Sequence, residues 1–285
     1  MAVPALGDVR RPVVRRFPAR LPPCVVGALA RRVLHVEEDV LVTLWSPKGG
    51  SGTSVFAAAC AIALARPASR RGAERDCVLA ARLVDLDGDQ PAIFALSSEP
   101  DTGVAEWLAA GPDAPSDALD RLAVDVTTGV TLLPRGTGSG VLAPPAAAEA
   151  GAALAVALRD GPVPTIVDAG RADTPAARAV VEVSDVSLVV VRACYLGLRR
   201  AVHAPLVAHA AGAVVVGENQ SSLLARDVTE VLAIPAVASV PWTSSAARLV
   251  DAGVFARRAP DSVLRPARDA MRAVGATGGR RGAAA

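Results

Sequence analysis

An apolar run from Val40 to Trp45 leads into Ser46-Pro47-Lys48-Gly49-Gly50-Ser51-Gly52-Thr53-Ser54, and an Ala-rich segment follows from Thr53 to Ala65. A strand that turns through glycines into a helix is the first half of a strand–helix–strand unit, and such units build parallel sheets. The glycines let the backbone adopt φ > 0 and bring N–H groups close to an anion. The helix N-terminus adds partial positive charge at the same place. The loop therefore reads as a phosphate cradle, with the Ser54 hydroxyl placed for Mg²⁺. Of the 30 Lys and Arg residues only Lys48 is lysine. A compact ammonium has been kept inside the loop, where a planar guanidinium fits poorly.

Strand-like and helix-like segments alternate beyond the loop. Strands are expected at 78–85, 130–133, 165–168, 186–191, 213–216 and 236–240. Helices are expected at 104–110, 145–159, 174–183, 197–211, 223–232, 244–252 and 261–274, with an Asp/Pro-rich loop after the first of them. This predicts an α/β fold, a mostly parallel sheet with helices on both faces. Hydrophobic residues make up 52% of the 285-residue chain and aromatics only 3%, which suits small aliphatic side chains packed on a buried sheet. In such sheets ligands bind at the carboxyl ends of strands. Asp85 and Asp87 fall after the second strand and Asp168 after the strand at 165, beside the loop. At these positions Asp85 and Asp87 read as ligands or as helix caps, and Asp168 as a ligand or a turn residue. Asn219, in Gly217-Glu218-Asn219, reads as a turn residue.

The net charge of +2 says little about partners. Seven arginines between Arg10 and Arg32, and seven between Arg257 and Arg281, form either solvated ends or a weak footprint for DNA or an anionic membrane. Residues 1–38 read as an Arg/Pro-rich extension, 39–274 as the phosphate-loop domain and 275–285 as a flexible tail. Cys24, Cys60, Cys77 and Cys194 have no metal or redox spacing, and His35, His203 and His209 add none. No apolar run approaches the roughly 18 residues of a membrane span. No secretory signal is recognisable, so a cytoplasmic protein is expected.

The loop resembles the deviant Walker A motif K-G-G-x-G-K-[ST] of the ParA/MinD family, matched by Lys48, Gly49, Gly50, Gly52 and Ser54. The resemblance runs from about Asp39 to Arg272. It implies ATP and Mg²⁺ as ligands, bound by residues 48–54 with Ser51 and Thr53 included. It also implies a homodimer in which Lys48 reaches the partner's nucleotide. Val84-Asp85-Leu86-Asp87 resembles the switch I segment, which implies that Asp87 orients the attacking water and Asp85 acts near the metal. Ile166-Val167-Asp168-Ala169-Gly170 resembles the Walker B strand and the glycine of switch II, which implies that Asp168 holds Mg²⁺ through water. The resemblance also implies a base contact at Asn219 in place of a turn residue. The actinobacterial branch of septum-site and pilus-assembly proteins (Ssd, CpaE and TadZ) is the most similar, since its members also carry altered Walker A loops.

The family's second lysine falls on Thr53, which has no charge. Removing such a contact is worth on the order of 2–4 kcal/mol at a phosphoryl-transfer transition state, enough to make hydrolysis weak or absent. The expected function is a nucleotide-dependent positioning switch that marks a septum, pole or secretion complex for a protein partner. Two alternatives stand beside it, a partitioning ATPase with nonspecific DNA affinity and a nucleotide-free scaffold.

Overall fold

The computed structural model describes residues 40–65, 79–138, 142–275 and 279–280; the expected 1–38 extension lies outside them. Nine strands are found among the described residues. They are β1 (Leu41–Trp45), β2 (Leu79–Asp85), β3 (Val124–Thr127), β4 (Val130–Leu133), β5 (Thr165–Asp168), β6 (Val186–Arg192), β7 (Gly212–Val216), β8 (Ala236–Val240) and β9 (Gly279–Arg280). The order is β3-β4-β2-β5-β1-β6-β7-β8. Every neighbouring pair from β4 to β8 is parallel; β3 joins β4 antiparallel at one edge. β9, in the segment expected to be a flexible tail, adds an antiparallel rung at Leu79 and Ala80 of β2.

The helices are α1 (Thr53–Ala65), α2 (Gln90–Ile93), α3 (Val104–Ala109), α4 (Asp117–Leu122), α5 (Pro144–Arg159) and α6 (Pro175–Val183). α7 (Tyr195–Val202), α8 (Ala225–Leu232), α9 (Ser244–Asp251), α10 (Phe255–Arg258) and α11 (Asp261–Ala273) complete the set. Alternation along β1 divides the core between the two faces. Val42 and Leu44 point toward α1, α10 and α11, where Phe56, Phe255, Leu264 and Met271 close the layer. Leu41 points to the other face with Leu154 and Leu158 of α5, Val180 of α6 and Trp107 of α3. Trp45 joins Val181, Ala201 and Val228 under α6, α7 and α8. In α1 every residue except Val55 is buried, so small side chains are needed on all its sides.

Three local departures from the sequence reading have physical causes. Residues 124–127 form β3 because Gly129, at φ 77°, closes a two-residue hairpin onto β4. The Asp/Pro-rich stretch contains the short helix α4, with Asp117 and Asp120 in its first turn. The helix expected over 197–211 stops at Val202. Pro205 pushes Ala204 into an extended conformation (ψ 114°), and the chain resumes as a 3₁₀ turn over Pro205–His209.

Helices α5 and α6 approach closely at Gly151, where an added Cβ would overlap the backbone of Ala176. In an open helix Gly→Ala stabilises by about 1 kcal/mol. Here Gly151→Ala is expected to lose roughly 1–3 kcal/mol by overpacking, read as a lower urea midpoint. A gain in stability would contradict the close approach.

Candidate functional site

The carboxyl ends of β1, β2 and β5 lie side by side, with Leu44 and Asp85 both in register with Asp168. The loop after β1 is tied across this edge. Ser46 N–H donates to the Gly170 carbonyl at 2.8 Å. Ser46 Oγ lies 2.8 Å from Ser51 Oγ, and both hydroxyls reach the Lys48 carbonyl, at 2.9 and 2.7 Å. Ser51 is thus a brace; its hydroxyl faces into the loop and only its backbone is left for a ligand. Gly50 and Gly52 take φ of 71° and 87°. The N–H groups of Gly49, Gly50 and Gly52 donate to no protein atom among the described residues. Unpartnered N–H groups on a glycine loop, continued by the N-terminus of α1, fit a phosphate group.

The cavity above the loop has a volume of about 370 Å³ and is lined by residues 48–55 together with Asp87, Asp89, Gly170 and Arg171. Its lining side chains carry two cations, Lys48 and Arg171, and two anions, Asp87 and Asp89. The formal balance is therefore neutral. A polyphosphate entering it would lean on backbone dipoles and on a cation brought with it. Thr53 and Ser54 open α1 and are nearly buried. The Ser54 hydroxyl points toward Asp89 Oδ2, at 3.5 Å.

Asp168 and Asp85 are fully buried neighbours. Burial, and then the charge of Asp85, push the Asp168 carboxyl up to about 7. Burial raises Asp85 to about 6 against the pull of its backbone hydrogen bonds. Those bonds come from the N–H groups of Asp87, Gly88 and Gln90, at 3.1, 2.7 and 3.0 Å. Asp85 therefore acts geometrically as the cap of the turn into α2, and neither it nor Asp168 lines the loop cavity. Asp168 accepts hydrogen bonds from Gly170 N–H at 3.1 Å and from Gln90 Nε2 at 2.8 Å. Gln90 Nε2 also donates to the Ser54 carbonyl, while its Oε1 is buried without a partner among the described residues.

Among the described residues no three His, Cys, Asp or Glu side chains cluster as a metal cage. One hydroxyl beside one buried carboxylate fits Mg²⁺, which keeps waters and takes phosphate oxygens as its other ligands. Ser54 and Asp168 would hold it. Burial disfavours the charged form of Asp85 and Asp168, a cost that a cation beside them would offset.

Asp87 packs against Gly170, where φ is 52° and a Cβ would overlap the Asp87 carboxylate. Burial, then Asp89, raises its proton affinity. Lys48 lies on the cavity rim with Nζ donating to the Gly49 carbonyl at 2.9 Å. Asn219 is engaged elsewhere: its amide bridges Trp242, donating to the carbonyl at 3.1 Å and accepting from N–H at 2.8 Å. The Trp242 ring lies under the Arg192 guanidinium, 4.0 Å from the centroid. Sequence reasoning missed Gln90, Asp89 and Arg171. Asp89 and Gln90 sat two and three residues beyond a segment already singled out, and Arg171 directly followed the Asp-Ala-Gly turn.

No protein-family model matches the chain, and no curated protein matches it. The architecture does match solved structures. A ParA family ATPase from Chlorobium tepidum TLS superposes with a TM-score of 0.64 at 17% identity, over 82% of this chain and 98% of that one. The septum site-determining protein MinD complexed with Mg-ADP, from Pyrococcus horikoshii OT3, gives 0.62 at 15% identity, over 83% and 96%. A Cyanothece McdA–ATP complex gives 0.62 at 15%, over 85% and 98%. The fold is that of a P-loop α/β protein with ParA/MinD architecture, spanning nearly the full length of these ATPases.

A carboxyl group raised on folding binds its proton more tightly in the native than in the unfolded state. Its contribution to stability therefore falls as pH rises from the unfolded value near 4 through the folded value, here about 7 for Asp168. Asp168→Asn removes that penalty. The melting temperature of the ligand-free variant, relative to wild type, is expected to rise between about pH 4 and pH 7 and to level off above that. A pH-independent difference would contradict the assignment.

Proposed function

We propose that this chain is a ParA/MinD-like ATP-binding switch that dimerises around Mg²⁺-ATP and marks a cellular position for a protein partner, with hydrolysis weak or absent. The observation that carries the reading is the loop itself: a braced glycine cradle on the N-terminus of α1, beside a buried carboxylate, with Thr53 at the helix start. Backbone N–H groups of 49–53 would hold the phosphates. Ser54 and Asp168 would hold Mg²⁺, which supplies charge neutralisation on the phosphates when bound. Asp87, packed against Gly170, would orient a water. Lys48, on the exposed rim, is free to reach a second copy. The deviant Walker A assignment and the Ssd, CpaE and TadZ likeness rest on Lys48-Gly49-Gly50 and on the altered position 53. The fold neighbours that carry Mg-ADP and ATP favour the same ligands here.

Binding and turnover separate in this reading. Mg²⁺-ATP at a hundredfold excess over Kd is expected to stabilise the protein by about 2.7 kcal/mol, read as a higher melting temperature. Phosphate release is expected to be near background, and Thr53→Lys is expected to raise it roughly a hundredfold. No thermal response to ATP or ADP in either protein would favour the nucleotide-free scaffold instead.

A second reading, the DNA-partitioning ATPase, has one observation in its favour. A hollow of about 800 Å³ beside the loop is lined by Arg171, Arg178, Arg199, Arg200 and His203, with Glu182 as its acidic residue. It predicts DNA affinity that falls steeply with added salt.

A further inference from the structure

We propose that Arg171 is a phosphate-binding residue of the loop cavity, leaving Asp173 for the terminal phosphates of a bound nucleotide and supplying the positive charge that Thr53 lacks. This rests on the nucleotide-binding reading above. Only two cationic side chains line the cavity among the described residues, and Lys48 lies on its exposed rim. The stem of Arg171 lies over the loop, since a Cβ on Gly49 would meet Arg171 Cδ at 3.6 Å. Arg135 also stands near the turn after β2, against Gly88, but it does not line the cavity.

The backbone holds Arg171 in place from both sides. Gly170 and Ala172 both adopt left-handed conformations, with φ of 52° and 51°. For a buried alanine that conformation is strained and persists only where its surroundings impose it. Three hydrogen bonds do so: Ser46 N–H to the Gly170 carbonyl at 2.8 Å, Ala172 N–H to the Ala169 carbonyl at 2.7 Å, and Arg178 Nε to the Ala172 carbonyl at 3.1 Å. The first ties Gly170, the residue before Arg171, to the phosphate loop.

The guanidinium itself is held weakly. Its ion-pair partner is Asp173, and both side chains are more than half exposed, at 56% and 57%. Such a pair is worth little and exchanges readily. A phosphate offers the same fork a charge-assisted, bidentate contact. Thr53, at the start of α1, presents a short neutral side chain instead.

The test is isothermal titration of Mg²⁺-ATP, Mg²⁺-ADP and AMP into wild type, Arg171→Ala, Asp173→Asn, the Arg171→Ala/Asp173→Asn double variant, and Arg171→Ala/Thr53→Lys. Arg171→Ala is expected to weaken ATP and ADP roughly ten- to a hundredfold and AMP less than about twofold, with the ligand-free melting temperature unchanged. Asp173→Asn is expected to tighten ATP several-fold, and that gain is expected to vanish when Arg171 is also replaced. Thr53→Lys is expected to restore ATP affinity to Arg171→Ala. Wild-type ATP affinity in Arg171→Ala overturns this role alone. Equal losses for ATP and AMP, or a lower melting temperature without ligand, also overturn it, because Arg171 is then structural. No nucleotide binding by wild type overturns the nucleotide reading and this role together.

Discussion

The hydrogen bond from Ser46 N–H to the Gly170 carbonyl joins the two segments on which the site depends. On one side stands the glycine loop between β1 and α1; on the other stands the turn that follows Asp168. Parallel pairing of β1 with β5 brings them level, and this bond, beside that from Ala169 N–H to the Leu44 carbonyl, holds them together. Gly170 has to be glycine for two reasons at once. Its φ is positive, and the Asp87 carboxylate occupies the space where a Cβ would stand. The loop, the buried carboxylate, Asp87 and Arg171 are therefore parts of one constrained unit.

That unit is electrostatically incomplete as it stands. Two carboxylates in register on adjacent strands are pushed up toward neutrality by burial, and the cavity lining sums to zero charge. Buried carboxylates of this kind lower the stability of the ligand-free fold, as functional groups often do. A cation beside Asp168 would offset the buried carboxylates, and an anion on the loop would offset that cation. Binding of one without the other leaves a charge uncompensated in a partly dry site. The proposed recognition of a divalent cation together with a polyphosphate would rest on this arrangement of charges rather than on any one side chain.

The core was legible because its signals are local and strong. The apolar runs of β1, β6 and β7 and the glycines at 49, 50 and 52 state strand, turn and helix without tertiary information. The edge was less legible: β3 is short and half-buried, and only Gly129 signalled the hairpin. At the site, Lys48 and Ser54 came from a motif with fixed spacing, and Asp87 and Asp168 from segments that resemble switch I and Walker B. Ser51 and Asp85 show what spacing alone omits. The Ser51 hydroxyl faces inward as a brace, and the Asp85 carboxylate accepts three backbone N–H groups. Gln90 and Arg171 gain their places from through-space contacts across β2, β5 and the loop, which no linear pattern encodes.

The central claim is that the loop of residues 48–54 binds the phosphates of a nucleotide with Mg²⁺. The most direct measurement is a crystal structure of the protein grown with Mg²⁺ and a non-hydrolysable ATP analogue. The account predicts phosphate density against the N–H groups of Gly49 to Thr53, with a metal next to the Ser54 hydroxyl on the Asp168 side. An empty loop at saturating analogue, or nucleotide bound away from it, would contradict the account.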